Sequence, residues 1–212
     1  MTSFLKKYSI VGQTILVMSI FGMLFASLLA IFFEFSNPVI LKSEAEAKQR
    51  LLLQVIGGKE YDNNLDTDFI DIPPNAYLKN KKNGKAYVAR YQNKVRAVVL
   101  ESRAPDGYSG DIILLVGISS DGEIIGSRVV KHQETPGLGD YIDIEKSNWI
   151  LAFQGLNLSD KPSARWAVKK DRGDFDYMAG ATITARGVIK AVHNALLFFK
   201  ENKAQLVLTN VK

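Results

Sequence analysis

The chain opens on a long apolar stretch and then changes rhythm. From Ile10 to Phe33 no residue is charged, and only Gln13, Thr14, Ser19, Ser27 and two glycines relieve the run. At about 1.5 Å per residue, a helix over that run reaches roughly 36 Å, more than the ~30 Å of bilayer hydrocarbon. Because the run is apolar all round, it predicts a membrane-spanning helix over 10–33 rather than a core helix. It ends in the bulky LLAIFFEF, with no small-x-small cleavage site, so a retained anchor is expected in place of a cleaved signal peptide. Past Pro38, Leu41, Ala45, Leu51, Leu52, Val55 and Ile56 recur among charges before Gly57-Gly58, predicting a helical connector over 34–60.

Over 61–212 the pattern becomes that of a folded domain. AYVARYQNKVRAVVLES reads as strand, turn, strand. DIILLVGISSDGEIIGSRVVKHQ gives two β-rich runs around Ser120-Asp121-Gly122, a hairpin signal. Ile112 to Val116 is continuously apolar, which predicts a strand covered on both faces. SNWILAFQGL and the final segment have helical pattern. After Thr184 the apolar positions are Ala185, Val188, Ile189, Val192, Ala195, Leu196 and Phe199, the rhythm of an amphipathic helix. The expected class is α+β: one membrane helix, then a single domain with a mainly antiparallel sheet and packed helices.

Charge adds orientation. Lys6 and Lys7 precede the span, Glu34 follows it, and the next base is Lys42. By the positive-inside tendency, residues 1–9 stay in the cytoplasm and the main domain lies on the periplasmic side of the inner membrane. Gly12, Ser19, Gly22 and Ala26 offer small surfaces for packing against other membrane helices. Lysine and arginine number 27 against 22 acids, a net charge of +5 with the bases scattered among the acids. Nucleic acid is therefore not an expected partner. Cysteine is absent, which excludes disulfides, cysteine-ligated iron–sulfur clusters and CxxCH haem attachment, so redox chemistry requires another cofactor. No Rossmann GxGxxG, P-loop or metal site is recognisable.

The stretch DYMAGATITARG places Thr182 after three small residues and within a turn of the last helix's N-terminus. Bare N–H groups and the helix dipole favour an anion there. Three readings of the hydroxyl stand side by side. Thr182 or Thr184 caps the helix; or Thr182 is a nucleophile with His132 or His193 as base; or it is an attachment point esterified by a phosphate-bearing cofactor. Composition does not choose among them.

Asp176 to Thr182 resembles the flavinylation signature Asp-x-x-(Ser/Thr)-Gly-Ala-Thr, in which a dedicated transferase moves FMN from FAD onto the last threonine. HQETPGLGD, His132 to Asp140, is similar to the Glu-Thr-Pro-Gly-Leu-Gly segment of the same proteins. With the N-terminal anchor, the two blocks resemble the G subunits of Rnf (Rsx) ion-translocating electron-transport complexes; the C subunits of sodium-translocating NADH:quinone reductases are near relatives. The resemblance implies FMN joined to Thr182 by a phosphodiester and electrons moving between ferredoxin and NAD. It also implies a place among the other membrane and peripheral subunits of the complex, with no activity expected of the chain alone. Gly180, Ala181, Thr184 and Arg186 are expected around the phosphate, and Glu134, Thr135, Leu138 and Gly139 along the flavin. Asp176 is assigned to recognition by the flavin transferase. One departure stands out: Ala179 occupies the position where the family has Ser or Thr, and only its smallness is expected to matter. The alternatives are the C component of a quinone reductase, a cofactor-free anchored assembly or binding module, and an anchored hydrolase using His132.

Overall fold

A computed structural model describes residues 2–58 and 61–208. The boundary expected between 60 and 61 falls on Lys59 and Glu60 and so lies outside the described residues, as do the last four positions.

The first element is α1, Thr2–Ile56, one helix that passes through Pro38. The expected span over 10–33 and helical connector over 34–60 therefore form a single element. A proline inside a helix forfeits one backbone hydrogen bond, and here the forfeit does not end the helix. From Val11 to Phe35 its side chains are exposed, and the helix is long and apolar enough to cross a membrane.

The chain divides into two compact units, 1–47 and 48–212. In the second unit five strands follow one another as an antiparallel meander in sequence order: β1 Phe69–Ile72, β2 Gly84–Tyr91, β3 Lys94–Ala104, β4 Ile112–Ser119 and β5 Ile124–Lys131. Gln92 and Asn93, both at positive φ, make the β2–β3 turn. The β4–β5 hairpin closes at Ser120-Asp121-Gly122 as expected, with Gly122 N–H donating to Ser119 O at 2.9 Å.

Period-two alternation explains why the strands are apolar without interruption. Along β3, Val98, Leu100 and Ala104 face one core, while Ala97 and Val99 face another. The larger core is covered by helix α2, Thr182–Leu208, by 3-10 turns at Asp140–Ile142 and Asn148–Phe153, and by Trp166, Val168 and Phe175 from the segment that carries two further 3-10 turns, Ser163–Arg165 and Lys169–Asp171. Thus the SNWILAF segment, helical by pattern, is a 3-10 turn whose Ile150 and Phe153 are buried. Two polar contacts pin this layer to the sheet: Ser102 Oγ donates to Ala191 O at 3.0 Å and Ser127 Oγ to Ile150 O at 3.1 Å. The smaller core is closed by the end of α1, where Leu52, Val55 and Ile56 pack on Tyr87, Val99 and Leu115. The last turns of the expected connector are thereby part of the domain's own core.

Candidate functional site

The two motif blocks meet at the start of α2. Upstream of it, Trp149 Nε1 donates to the Asp176 carbonyl at 2.7 Å, fixing the loop while the Asp176 side chain stays exposed in an ion pair with Lys169 at 2.6 Å. Ala181 N–H donates to Met178 O at 3.0 Å, a turn across Ala179 and Gly180. Gly180 has φ +87°, a conformation that side-chain-bearing residues rarely adopt, and a Cβ there would sit 3.2 Å from Leu138 Cδ1. The turn thus requires glycine and brings the second loop against it.

That loop, Thr135–Gly139, closes on the Thr135 carbonyl, which accepts from Leu138 N–H at 3.1 Å and Gly139 N–H at 2.9 Å. Glu134, just before it, is only 4% exposed and Thr184 only 1%. Thr184 Oγ1 donates to Glu134 Oε2, and Ser109 N–H donates to Glu134 Oε1 at 3.0 Å. Glu134 N–H donates to His132 Nδ1 at 3.1 Å, giving that histidine a local structural contact. His193 lies elsewhere on α2, stacked on Trp166, and burial lowers its pKa.

Thr182 is the first residue of α2 and is half-buried. Among the described residues its hydroxyl has no hydrogen-bond partner, and the N–H groups of Thr182, Ile183 and Thr184 have no acceptor. Neither threonine caps the helix, since the Thr184 hydroxyl is committed to Glu134. Close by in the chain, Met178 and Ile183 are exposed apolar side chains, and Leu138, also exposed, lies against Gly180. Arg186, a turn further on, is held by Asp171 through two bonds of 2.6 and 2.7 Å, and the guanidinium keeps the Asp171 carboxyl below its ordinary range. Beneath the loops, the Tyr141 hydroxyl is buried beside the Met178 backbone, without a hydrogen bond of good geometry. Burial and then the nearby Glu134 charge raise its pKa, against a lowering influence from the Met178 backbone.

The structure therefore gathers Gly180, Ala181, Thr182, Thr184, Glu134, Leu138 and Gly139 into one site, with Thr135 exposed beside them and Asp176 and Arg186 on its outer surface. Glu134 and Thr184 lie behind the accessible surface. Ser109, Tyr141, Trp149, Met178 and Ile183 were not singled out by any sequence pattern. Ser109 contributes a backbone N–H, which leaves no trace in residue type.

The arrangement fits the phosphate of an FMN through the donors it presents: three bare N–H groups, a free hydroxyl and small neighbours. Comparison with known proteins independently points to FMN. Residues 107–197 match the FMN-binding domain family. The G subunit of an ion-translocating oxidoreductase complex from Pseudomonas aeruginosa (strain UCBPP-PA14) is 44% identical over 193 residues, covering 91% of this chain and 90% of that one. The chain belongs to this G-subunit family. A family member from Yersinia pestis is 46% identical over 164 residues, covering 77% of this chain and 78% of its own. Among solved structures, Shewanella oneidensis NqrC aligns with a TM-score of 0.48 and 23% identity, covering 68% of this chain and 74% of that one. In this member of the G-subunit family, the FMN-binding match contains both motif loops and the first four turns of α2.

Proposed function

We propose that this chain is the FMN-carrying electron-transfer G subunit of a membrane-bound ion-translocating oxidoreductase complex, with the flavin esterified to Thr182. The observation that carries the reading is the unengaged Thr182 hydroxyl at the bare start of α2, beside a Thr184 hydroxyl that is already used. In attachment, a flavin transferase breaks the pyrophosphate bond of FAD, joins the FMN phosphorus to Thr182 Oγ1 and releases AMP. The hydroxyl proton passes to the departing AMP phosphate or to solvent. The small Ala179–Ala181 turn gives that enzyme room, and exposed Asp176 is its recognition point.

Once bound, FMN supplies one- and two-electron redox chemistry. The residues of the chain do the rest. The N–H groups of Thr182, Ile183 and Thr184 would hold the phosphodiester's remaining charge. Leu138, Met178 and Ile183 would offer the flavin apolar surface. Arg186 adds positive charge nearby while paired to Asp171. The span in α1 anchors the chain in the inner membrane with the N-terminus inside and the domain in the periplasm, where the other subunits of the complex supply and remove electrons.

Intact-mass measurement after co-expression with the transferase tests the reading. The expected chain is heavier by one FMN less water, remains yellow after denaturation, and loses the addition in Thr182→Ala. A wild-type chain that is colourless and unmodified refutes it.

A further inference from the structure

We infer that Glu134 is a positioning residue for flavin attachment: its buried carboxylate clamps three chain segments together and thereby sets the outward presentation of Thr182. The inference rests on the reading of Thr182 as the attachment point.

Both oxygens of Glu134 are occupied, Oε2 by Thr184 Oγ1 from α2 and Oε1 by Ser109 N–H from the β3–β4 loop, while its backbone leads directly into the Thr135–Gly139 loop. No cation pairs with it among the described residues, so the carboxylate serves here as an acceptor and not as half of an ion pair. The packing is tight enough to be specific. A Cβ on Gly139 would lie 2.9 Å from Glu134 Cβ, 3.0 Å from Oε2 and 3.3 Å from Thr184 Oγ1. A Cβ on Gly107 would lie 3.0 Å from Oε1. Substituents are thus excluded on two sides of the carboxylate.

Helix geometry converts this clamp into an orientation. Residues two apart on an α-helix point about 200° from each other around the axis. Holding the Thr184 hydroxyl inward against Glu134 therefore turns Thr182 outward, away from the clamp and toward a transferase. The same contact seats Leu138 against Gly180, which shapes the surface around the hydroxyl.

The test uses the full-length chain in detergent, the transferase and FAD, with the initial rate of mass gain as readout. Thr184→Val, which keeps the shape and removes the donor, is expected to slow attachment at least tenfold. Thr184→Ser, which restores the donor, is expected to react within twofold of wild type. Val192→Ala, in the buried middle of α2, serves as a control for stability loss away from the clamp and should react at the wild-type rate. Amide hydrogen exchange on the unmodified chain gives a second readout: Ser109, Leu138 and Gly139 exchange faster in Thr184→Val and as wild type in Thr184→Ser. Wild-type attachment by Thr184→Val, equal slowing by Val192→Ala, or failure of Thr184→Ser to recover would each overturn the proposal. Wild-type chain that takes up no flavin at all is a different result, and removes the attachment reading on which the proposal stands.

Discussion

Gly117 on β4 and Gly126 on β5 are register partners, and the fully buried Val55 of α1 lies over both. Adding a Cβ at Gly117 would place it 2.5 Å from Val55 Cγ1 and 3.0 Å from Val55 O; at Gly126 it would stand 2.9 Å from Val55 O and 3.4 Å from Val55 Cα. Overpacking of this kind costs about 1–3 kcal/mol. Alanine recovers about 0.5–1 kcal/mol relative to glycine within a strand. Contacts this short call for the upper part of that range, about 2–3 kcal/mol, so each Gly→Ala variant should lose about 1–2.5 kcal/mol, lowering the melting temperature by about 2–10 °C in a domain of this size. The two differ in what stands in the way. Val55→Ala removes the Cγ atoms that obstruct Gly117→Ala but leaves the carbonyl that obstructs Gly126→Ala. In double-mutant cycles measured by urea unfolding of the full chain in detergent, the Val55/Gly117 pair should couple favourably by about 1 kcal/mol and the Val55/Gly126 pair by less than about 0.5 kcal/mol. A Gly126→Ala chain as stable as wild type, or equal rescue of both glycine variants by Val55→Ala, would refute this account of how α1 docks on the sheet.

Thr182→Ala should leave unfolding free energy within about 0.5 kcal/mol of wild type, because the hydroxyl makes no bond; loss of a genuine cap would cost about 1 kcal/mol and show in the same denaturation curve. Burial depresses the pKa of His193, so at mildly acidic pH the unfolded chain binds a proton that the folded chain refuses. Stability from this source is complete above the ordinary value of about 6.5 and declines as pH falls through it toward the lower folded value. His193→Phe, which keeps a ring against Trp166, should flatten the stability profile between about pH 7 and 5, and an unchanged profile removes His193 as the cause. Tyr141→Phe deletes a buried hydroxyl whose contact with the Met178 backbone falls short of good hydrogen-bond geometry, and should stay within about 1 kcal/mol of wild type in thermal unfolding; a larger loss would reveal a hydrogen bond at this oxygen.

The hairpins, the antiparallel sheet and α2 were legible because alternation, Asp-Gly turn chemistry and a 3.6-residue rhythm are properties of neighbouring positions. The meeting of the motif loops was implied by family resemblance and by no local pattern. Their contact depends on Gly139 being bare enough to press on Glu134 and on Gly180 turning beneath Leu138, and both are consequences of tertiary packing. The depth of Glu134 was hidden for the same reason: its main partners are Thr184, far along the chain, and a backbone N–H. The division between span and connector at 33/34 marks a change in polarity and not a break in the helix, since α1 continues across it and through Pro38. A local propensity marks a cost, and whether the cost is met is decided elsewhere.

The openness of the site bears on the proposed ester. Thr182 lines neither of two surface clefts of about 350 and 360 Å³, one beside Leu196 and Phe199 and the other beside Trp149 and Phe175. A tightly held noncovalent cofactor has about 70–90% of its surface enclosed. Here the contributions on offer are a helix N-terminus, worth about 0.3–1 kcal/mol to an anion, and contact with three partly exposed apolar side chains. Micromolar retention alone requires about 8 kcal/mol. An ester at Thr182 removes that requirement and permits a ring edge to remain accessible to a partner, which an enclosing pocket would not. The same reasoning separates retention from activity. If the proposed ester and ring placement hold, a Leu138→Ala chain should keep its full flavin mass after denaturation, because the ester retains the cofactor, yet show an altered flavin absorption spectrum when folded, because the ring loses one apolar neighbour. Loss of mass in that variant would mean that the loop governs attachment through Leu138 itself, and an unchanged spectrum would place the ring away from this loop.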